Sequence, residues 1–487
     1  MTEPRKAAAA IVTGGRDAEQ VLLCKRNPEL RFMGGSWVFP GGRIDDAEGC
    51  QHVVGAACDD EAEAIHAACR EIFEESGLLC VKGNLPDRDV ARAARLRVLE
   101  DASAFDVFLT EHGLTIDAED FEPAGVWVTP PFVPIRFDTN YYQYHYQGSW
   151  HPELIEGEMV DLQWMTPVDA RRSWHRNEIK LPHPVAYVLR HLSEESHPNL
   201  SAALLRTTVS HDPKFGRVEF RCGINVLALE SDPLPPATHT NCMIVGDREL
   251  YVIDPGTDHD HEFEHLKVQI EHHLVTGGRV AAVLLTHSHR DHIGAATYLR
   301  DQFDVPIWSH AETNRQLGFD VDAFLEDNQV IDVPGDPGWR LRCLHTPGHD
   351  PGHLCFLEEN TQTLLGGDIV AQMGTIVIAP QIEGNMQHYL DSLNRLLDEE
   401  FRVILPAHGL PIGKAKEKIQ ATIDHRLARE QKLIDALNRG FRSMEDLIAQ
   451  VYNDVDPSIR PLAEQSLLAH LQKLGHAVNA DRMAQSG

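Results

Sequence analysis

Apolar and polar positions along the chain fall into three stretches of different rhythm. The first opens on a strand-like run from Ala7 to Val12, continues with Val21-Leu22-Leu23 after a turn at Gly14-Gly15, and reaches a Pro40-Gly41-Gly42 turn. A long helical stretch from about Glu61 to Ser76 follows, stopped by Gly77. The second stretch begins with β-type segments at 218–229 and 242–253. They are separated by the turn-rich Asp232-Pro233-Leu234-Pro235-Pro236 and closed by Asp254-Pro255-Gly256. Strands alternating with helix-like runs then continue to about Pro411. From Lys414 onward the pattern is helical, with runs at 419–438, 443–451 and 459–474. The segment 196–214, with His197-Pro198 and Asp212-Pro213, reads as a linker. The expected organisation is a domain over 1–200, a linker at 201–215, a second domain over 216–412 and a C-terminal module over 413–487.

Length supports that division, since 487 residues at about 150 per domain give about three domains. Hydrophobic residues at 42% and charged residues at 24% exclude a largely disordered chain. No apolar run approaches the ~18 residues of a membrane span, so no membrane partner is expected. The start, Met1-Thr2-Glu3-Pro4-Arg5-Lys6, lacks the apolar core of an export signal. Nine cysteines without a Cys-x-x-Cys pair indicate neither a thiolate zinc site nor a disulfide framework, and a reducing, cytoplasmic setting is expected. The net charge of −30 opposes general nucleic-acid binding. Residues 411–487, with 11 Lys/Arg against 10 Asp/Glu, supply no basic patch.

The chemistry concentrates in the second stretch. Thr286-His287-Ser288-His289-Arg290-Asp291-His292 follows the apolar run 280–285, which reads as a buried strand. Four candidate ligands within six residues, in a loop free of helical spacing, can converge on one or two ions. His349 in Thr-Pro-Gly-His, Asp368 in Gly-Gly-Asp and His408 in Pro-Ala-His-Gly each follow a short β-like run. Their Gly and Pro neighbours suit tight turns that deliver a side chain into a shared cleft. A lone histidine in a chain with 28 of them is ordinarily surface or core, and His345 and His353 are read that way or as supports of the ligands.

His-x-His-x-Asp-His, then Pro-Gly-His, Gly-Gly-Asp and Pro-x-His-Gly, resembles the metallo-β-lactamase superfamily of dinuclear hydrolases over about 220–412. The resemblance implies an αββα sandwich holding two Zn²⁺ or other divalent ions. His287, His289 and His349 would hold one, Asp291, His292 and His408 the other, with Asp368 bridging. Two such ions lower the pKa of a shared water and stabilise developing oxygen charge, which predicts hydrolysis without naming the substrate. Asp291 is also a candidate for orienting the nucleophile or carrying its proton.

In the first stretch, Arg70-Glu71-Ile72-Phe73-Glu74-Glu75-Ser76-Gly77-Leu78 sets three glutamates at i, i+3 and i+4, on one helical face. Hard divalent cations would neutralise them and grip a diphosphate, although most glutamate clusters are solvated faces. The stretch resembles the core of the Nudix box, and Gly42 with Glu48 resembles its opening, with a longer gap before Arg70 than the family has. The resemblance implies an α/β/α sandwich with Mg²⁺ or Mn²⁺ on Glu71, Glu74 and Glu75, oriented by Arg70, with Glu71 and Glu75 as catalytic groups. Glu158 and Glu156 are weak candidates for the base. The run from Leu22 to Gly42 is similar to the coenzyme A diphosphatase motif, with Cys24 and Asn27 in place of Thr and Ser. With the Nudix box it assigns Arg26, Arg31, Gly42 and Arg70 to the substrate, Arg26 and Arg31 through bidentate pairing with phosphate.

The third stretch looks like a winged-helix-type module. His425-Arg426-x2-Arg429-Glu430 and the helix around Leu467–Leu474 resemble the C-terminal extension of lactamase-β-2-like hydrolases. The fold class expected is therefore multidomain α/β. The function expected is a hydrolase with two metal centres acting on small nucleotide or CoA-type substrates, a thioesterase role linking both sites. The alternatives are an endoribonuclease on single-stranded RNA and a Nudix domain that senses nucleotides without turnover. A homodimer is left open.

Overall fold

The computed structural model describes residues 3–14, 19–44, 49–129, 135–193, 216–274, 278–456 and 459–476. Glu48, the linker and the end of the chain past His476 lie outside them. The chain forms two compact units, Met1–Cys222 and Gly223–Gly487. No helix among the described residues is long and apolar enough to cross a membrane.

In the first unit the expected first strand runs over Arg5–Gly14 and is buried from Ala7 onward. Its four alanines leave room on both faces, and it sits inside a seven-stranded sheet. It pairs in parallel with Phe137–His145 and antiparallel with Gln20–Arg26. The expected Pro-Gly-Gly turn is corrected: Gly41–Arg43 is a short strand, Gly42 lying opposite Ala8. The acidic helix runs over Asp59–Ser76 with Asp59, Asp60 and Glu61 in its first turn, where they complement the helix dipole. Ile65, Ala68, Cys69, Ile72 and Phe73 press its inner face against the sheet and against helices Arg88–Glu100 and Ala104–His112.

The second unit has two sheets. Strands Ile224–Glu230, His239–Val245, Glu249–Ile253, Arg279–Leu284, Ile307–Ser309 and Ala323–Phe324 lie side by side in that order. The expected continuous segment 218–229 is broken, with separate strands at Val218–Arg221 and Ile224–Glu230. The second sheet orders Val330–Val333, Trp339–His345, Leu354–Glu358, Thr363–Leu365 and Val403–Leu405. Helices Asp260–Leu274 and Ala296–Phe303 cover the first sheet through Leu266, Ile270 and Leu299. Helices Met386–Asp398 and Ala415–Asn438 cover the second through Tyr389, Leu393, Ile419 and Ile423. The helical end of the chain, with Met444–Val451 and Arg460–Lys473, has its own small core around Leu433, Leu447, Val451 and Leu467.

Topology brings the ligand loops to one place. Glu249–Ile253 and Arg279–Leu284 are parallel, so Asp254 and the His287 loop leave the first sheet at the same end. In the second sheet Trp339–His345 and Thr363–Leu365 are each antiparallel to Leu354–Glu358, and Thr363–Leu365 is parallel to Val403–Leu405. The turns holding His349, Asp368 and His408 therefore also emerge together. The Leu354 N–H donates to the Thr286 carbonyl at 2.8 Å and joins the two edges.

Candidate functional site

His287 and His292 are fully buried and His349 nearly so. Candidate ligand atoms of His287, His289 and His349 lie within 4.8 Å of one another, and so do those of Asp291, His292 and His408. Asp368 stands between the two groups. Its Oδ2 is 3.5 Å from His349 Nε2, and its Oδ1 is 3.5 Å from His408 Nε2 and 3.8 Å from His292 Nε2.

Four of the five imidazoles are oriented by a partner on the far nitrogen. His292 Nδ1 donates to Asp254 at 2.8 Å, His349 Nδ1 to the Val377 carbonyl at 2.8 Å, and His408 Nδ1 to the His239 carbonyl at 2.9 Å. Thr286 Oγ1 donates to Asp254 and so accepts from His287 Nδ1 at 3.0 Å. These bonds assign the protons to the outer nitrogens and leave the Nε2 lone pairs facing inward. His289 Nδ1 lies 3.0 Å from both His287 Nε2 and His349 Nε2, and the buried His292 Nε2 has no hydrogen-bond partner among the described residues. A proton on His289 Nδ1 could serve one of these two contacts but not both, so at least one pair of lone pairs is crowded and would be relieved by a cation among them. The donor set of imidazole and carboxylate therefore fits divalent transition metals.

Electrostatics favour neutral rings at His287 and His289 and protonated ones at His292 and His408. Burial and then the neighbouring imidazoles hold His287 well below its ordinary value, and burial with His349 brings His289 to about 4. Both rings are thus neutral donors at pH 7. His292 differs: burial alone would lower it, but Asp254, Asp368 and Asp291 push it up to about 9, so without a cation its Nε2 is protonated at pH 7 and a metal ion would have to displace that proton. The opposing imidazoles, His408 foremost, outweigh burial and keep Asp368 and Asp291 ionised.

Sequence reasoning passed over Asp254, whose Asp-Pro-Gly context reads only as a strand-ending turn. Its carboxylate also accepts the Thr286 N–H at 2.8 Å. Asp350, next to His349, accepts from Ser288 Oγ at 2.6 Å and so ties the two histidine loops. His353 is wholly buried, hydrogen-bonds to Thr346 Oγ1 and accepts the Asp368 N–H at 3.0 Å. His345 stacks on His310 at 4.1 Å, away from the ligand rings.

The family model described as Metallo-beta-lactamase superfamily matches residues 235–408. An Aspergillus chevalieri protein named atrochrysone carboxyl ACP thioesterase is 31% identical over 230 residues, 45% of this chain and 70% of its own length. The chain belongs to the metallo-β-lactamase superfamily. Hydroxyacylglutathione hydrolase GloC of Haemophilus influenzae is 35% identical over 155 residues, 28% of this chain and 70% of its own. A Caenorhabditis elegans beta-lactamase-like protein 2 homolog is 28% identical over 41% of this chain and 66% of its own. The NUDT19 Nudix domain model matches residues 51–192, the NUDIX domain model 3–94, and the Beta-lactamase associated winged helix domain model 443–476. This member of the superfamily is a metal-dependent hydrolase that also carries a Nudix domain.

In the Nudix domain the helix face from Arg70 to Glu75 is assembled as a second cluster. Arg70 lies 2.9 Å from Glu71 Oε1 and 2.8 Å from Glu74 Oε2, and also donates to the Arg43 carbonyl. Glu71 and Glu75 are buried, and Glu75 Oε2 has no hydrogen-bond partner among the described residues. Burial pushes Glu71 up to about 7 against the pull of Arg70, and Glu75 rises through burial and the charge of Glu71. Two buried carboxylates and the half-buried Glu74, with one arginine, leave negative charge that a hard divalent cation fits. Gly42 is where the sheet meets this cluster, since a Cβ there would stand 2.1 Å from Glu71 Oε1. Arg26 forms a 2.7 Å ion pair with Glu158, whose charge also bears on Glu71 and Glu75. Arg31 and Glu156 are exposed.

Proposed function

We propose that the second unit is a dinuclear hydrolase of acyl thioesters and that the Nudix domain is a Mg²⁺- or Mn²⁺-dependent diphosphatase of CoA-type nucleotides. The observation carrying the first reading is the convergence of five imidazoles and two carboxylates, their inner lone pairs 3.0 Å apart in the three-histidine group. His287, His289 and His349 would hold one zinc or similar ion and Asp291, His292 and His408 the other, with Asp368 between them. Such ions supply Lewis acidity and water of lowered pKa. Asp291, whose Oδ2 is 3.4 Å from His408 Nε2, orients the attacking water and accepts its proton. Two relatives support a thioester substrate: one is named an ACP thioesterase, another a hydroxyacylglutathione hydrolase.

In the Nudix domain Glu71, Glu74 and Glu75 would hold the cation, with Arg70 keeping Glu71 and Glu74 aligned. Arg26 offers its guanidinium to the diphosphate, and Glu158, released from that ion pair, is placed to take a proton. The coenzyme A moiety is what both sites would share.

The deciding experiment supplies Zn²⁺ and Mg²⁺ together and offers acyl-CoA thioesters, free coenzyme A, dinucleotides and short RNA. Thiol release from acyl-CoA that disappears in His287→Ala is expected. Absence of thiol release would remove the thioester reading, and RNA cleavage lost in the same variant would replace it.

A further inference from the structure

The Arg426-x2-Arg429-Glu430 motif takes no part in the chemistry above, yet its charges are buried: Arg426 is 1% exposed, Arg429 and Glu430 each 8%. Two of them hold the helical module to itself. Arg429 donates to Asp454 at 2.6 Å, and Glu430 accepts from His470 at 3.1 Å and Lys473 at 2.6 Å.

Arg426 faces the other way. Its Nη2 donates to the Ile376 carbonyl, and its guanidinium lies 5.6 Å from the Tyr389 ring centroid. The next carbonyl along the chain, Val377, is the one that accepts His349 Nδ1 at 2.8 Å. Tyr389 holds the far end of the same segment, its hydroxyl donating to the Ile369 carbonyl at 2.8 Å. Its main chain also presses on the residue before His349, where a Cβ on Gly348 (φ 141°) would stand 2.3 Å from Tyr389 Cα. Arg426 keeps its Nε without a partner among the described residues. A buried guanidinium that is not fully paired is a poor stabiliser of a helix. Its value lies in where it places a carbonyl.

We propose that Arg426 is a positioning residue for His349, through which the C-terminal helical module sets how tightly the three-histidine group retains its metal. By fixing the Ile376 carbonyl, Arg426 fixes the Val377 carbonyl. That carbonyl holds the His349 proton on Nδ1 and leaves the Nε2 lone pair turned inward. The inference rests on the dinuclear reading above. Outer partners of ligand histidines change metal affinity or activity about 10–100-fold; Arg426 acts one residue further out, so about tenfold is expected.

The test uses the full zinc-loaded chain and reads metal release to a chromogenic chelator, the visible spectrum after Co²⁺ substitution, kcat, KM and the melting temperature. Arg426→Met should release one metal equivalent about tenfold faster, alter the Co²⁺ spectrum and lower kcat more than it changes KM. Arg426→Lys should recover part of the loss. Tyr389→Phe, which frees the other end of 369–377 without burying a new charge, should move release in the same direction and decides the matter if Arg426→Met does not fold. Glu430→Gln loosens the module without touching Ile376 and should lower the melting temperature while leaving metal release unchanged. Wild-type release rates and spectra in both Arg426→Met and Tyr389→Phe would overturn the proposal, as would Glu430→Gln reproducing Arg426→Met. Metal content in His287→Ala equal to that of the wild-type protein would instead overturn the dinuclear reading beneath it.

Discussion

Asp254 accepts a hydrogen bond from His292 Nδ1 at 2.8 Å on the same carboxylate that takes the N–H and hydroxyl of Thr286, at 2.8 and 2.6 Å. One buried side chain thereby orients His292 and, through Thr286, His287 as well. Asp254→Asn replaces one acceptor oxygen with a donor and leaves the His292 proton without its partner. It should weaken metal binding about 10–100-fold with the ligands themselves intact, measured by metal titration of the purified protein. Wild-type affinity in that variant would refute the orienting role.

The two clusters belong to different compact units and share no residue, so their activities should separate. His287→Ala should reduce thiol release to background while diphosphate hydrolysis persists. Glu75→Gln should do the reverse, lowering the diphosphatase about 10²–10⁴-fold if Glu75 handles a proton as well as the cation. Parallel assays of both variants on both substrates check this, and loss of both activities in either variant contradicts it.

Gly42→Ala tests how closely the sheet must approach the Nudix helix. The added methyl would meet Glu71 Oε1 at 2.1 Å, and Glu71 cannot swing away without breaking its 2.9 Å contact with Arg70. Diphosphatase activity should fall by an order of magnitude or more while the melting temperature changes little, because a carboxylate end yields more readily than backbone. A variant with full activity would show that the cluster tolerates displacement.

Burial raises Glu71 from 4.5 to about 7 and shifts Glu74 and Glu75 the same way. A carboxyl with a raised folded-state pKa binds its proton more tightly when folded. Its stabilising contribution is complete below 4.5 and is lost as pH climbs through about 7. Metal-free protein should therefore melt at progressively lower temperature as pH rises from 5 to 8, Mg²⁺ should offset the loss, and Glu71→Gln should flatten the slope. Calorimetry in chelator shows whether it does; a melting temperature that rises over that window would contradict the buried-acid account.

The residues proposed as ligands stood out in the sequence because their chemistry is local. His287, His289, Asp291 and His292 crowd a single loop, and His349, Asp368 and His408 each sit in a Gly- or Pro-marked turn after an apolar run. Glu71, Glu74 and Glu75 were legible because helical spacing alone aligns them. The strand assignments at 40–42 and 218–229 differed because pairing with Ala7–Ala9 overrides the turn preference of glycine, and because the chain breaks at Cys222-Gly223.

What the chain determined by itself was which side chains are available to bind cations and in what order they come. Only the folded structure decided which nitrogen of His292, His349 and His408 faces inward, since that rests on Asp254 and on the carbonyls of Val377 and His239, and a carbonyl is the same in every residue and leaves no mark in a sequence. The approach of Gly42 to Glu71 and of Arg426 to Ile376 was decided in the same way. These contacts join positions 29 and 50 residues apart, and sheet pairing and helix packing set them rather than local residue preference.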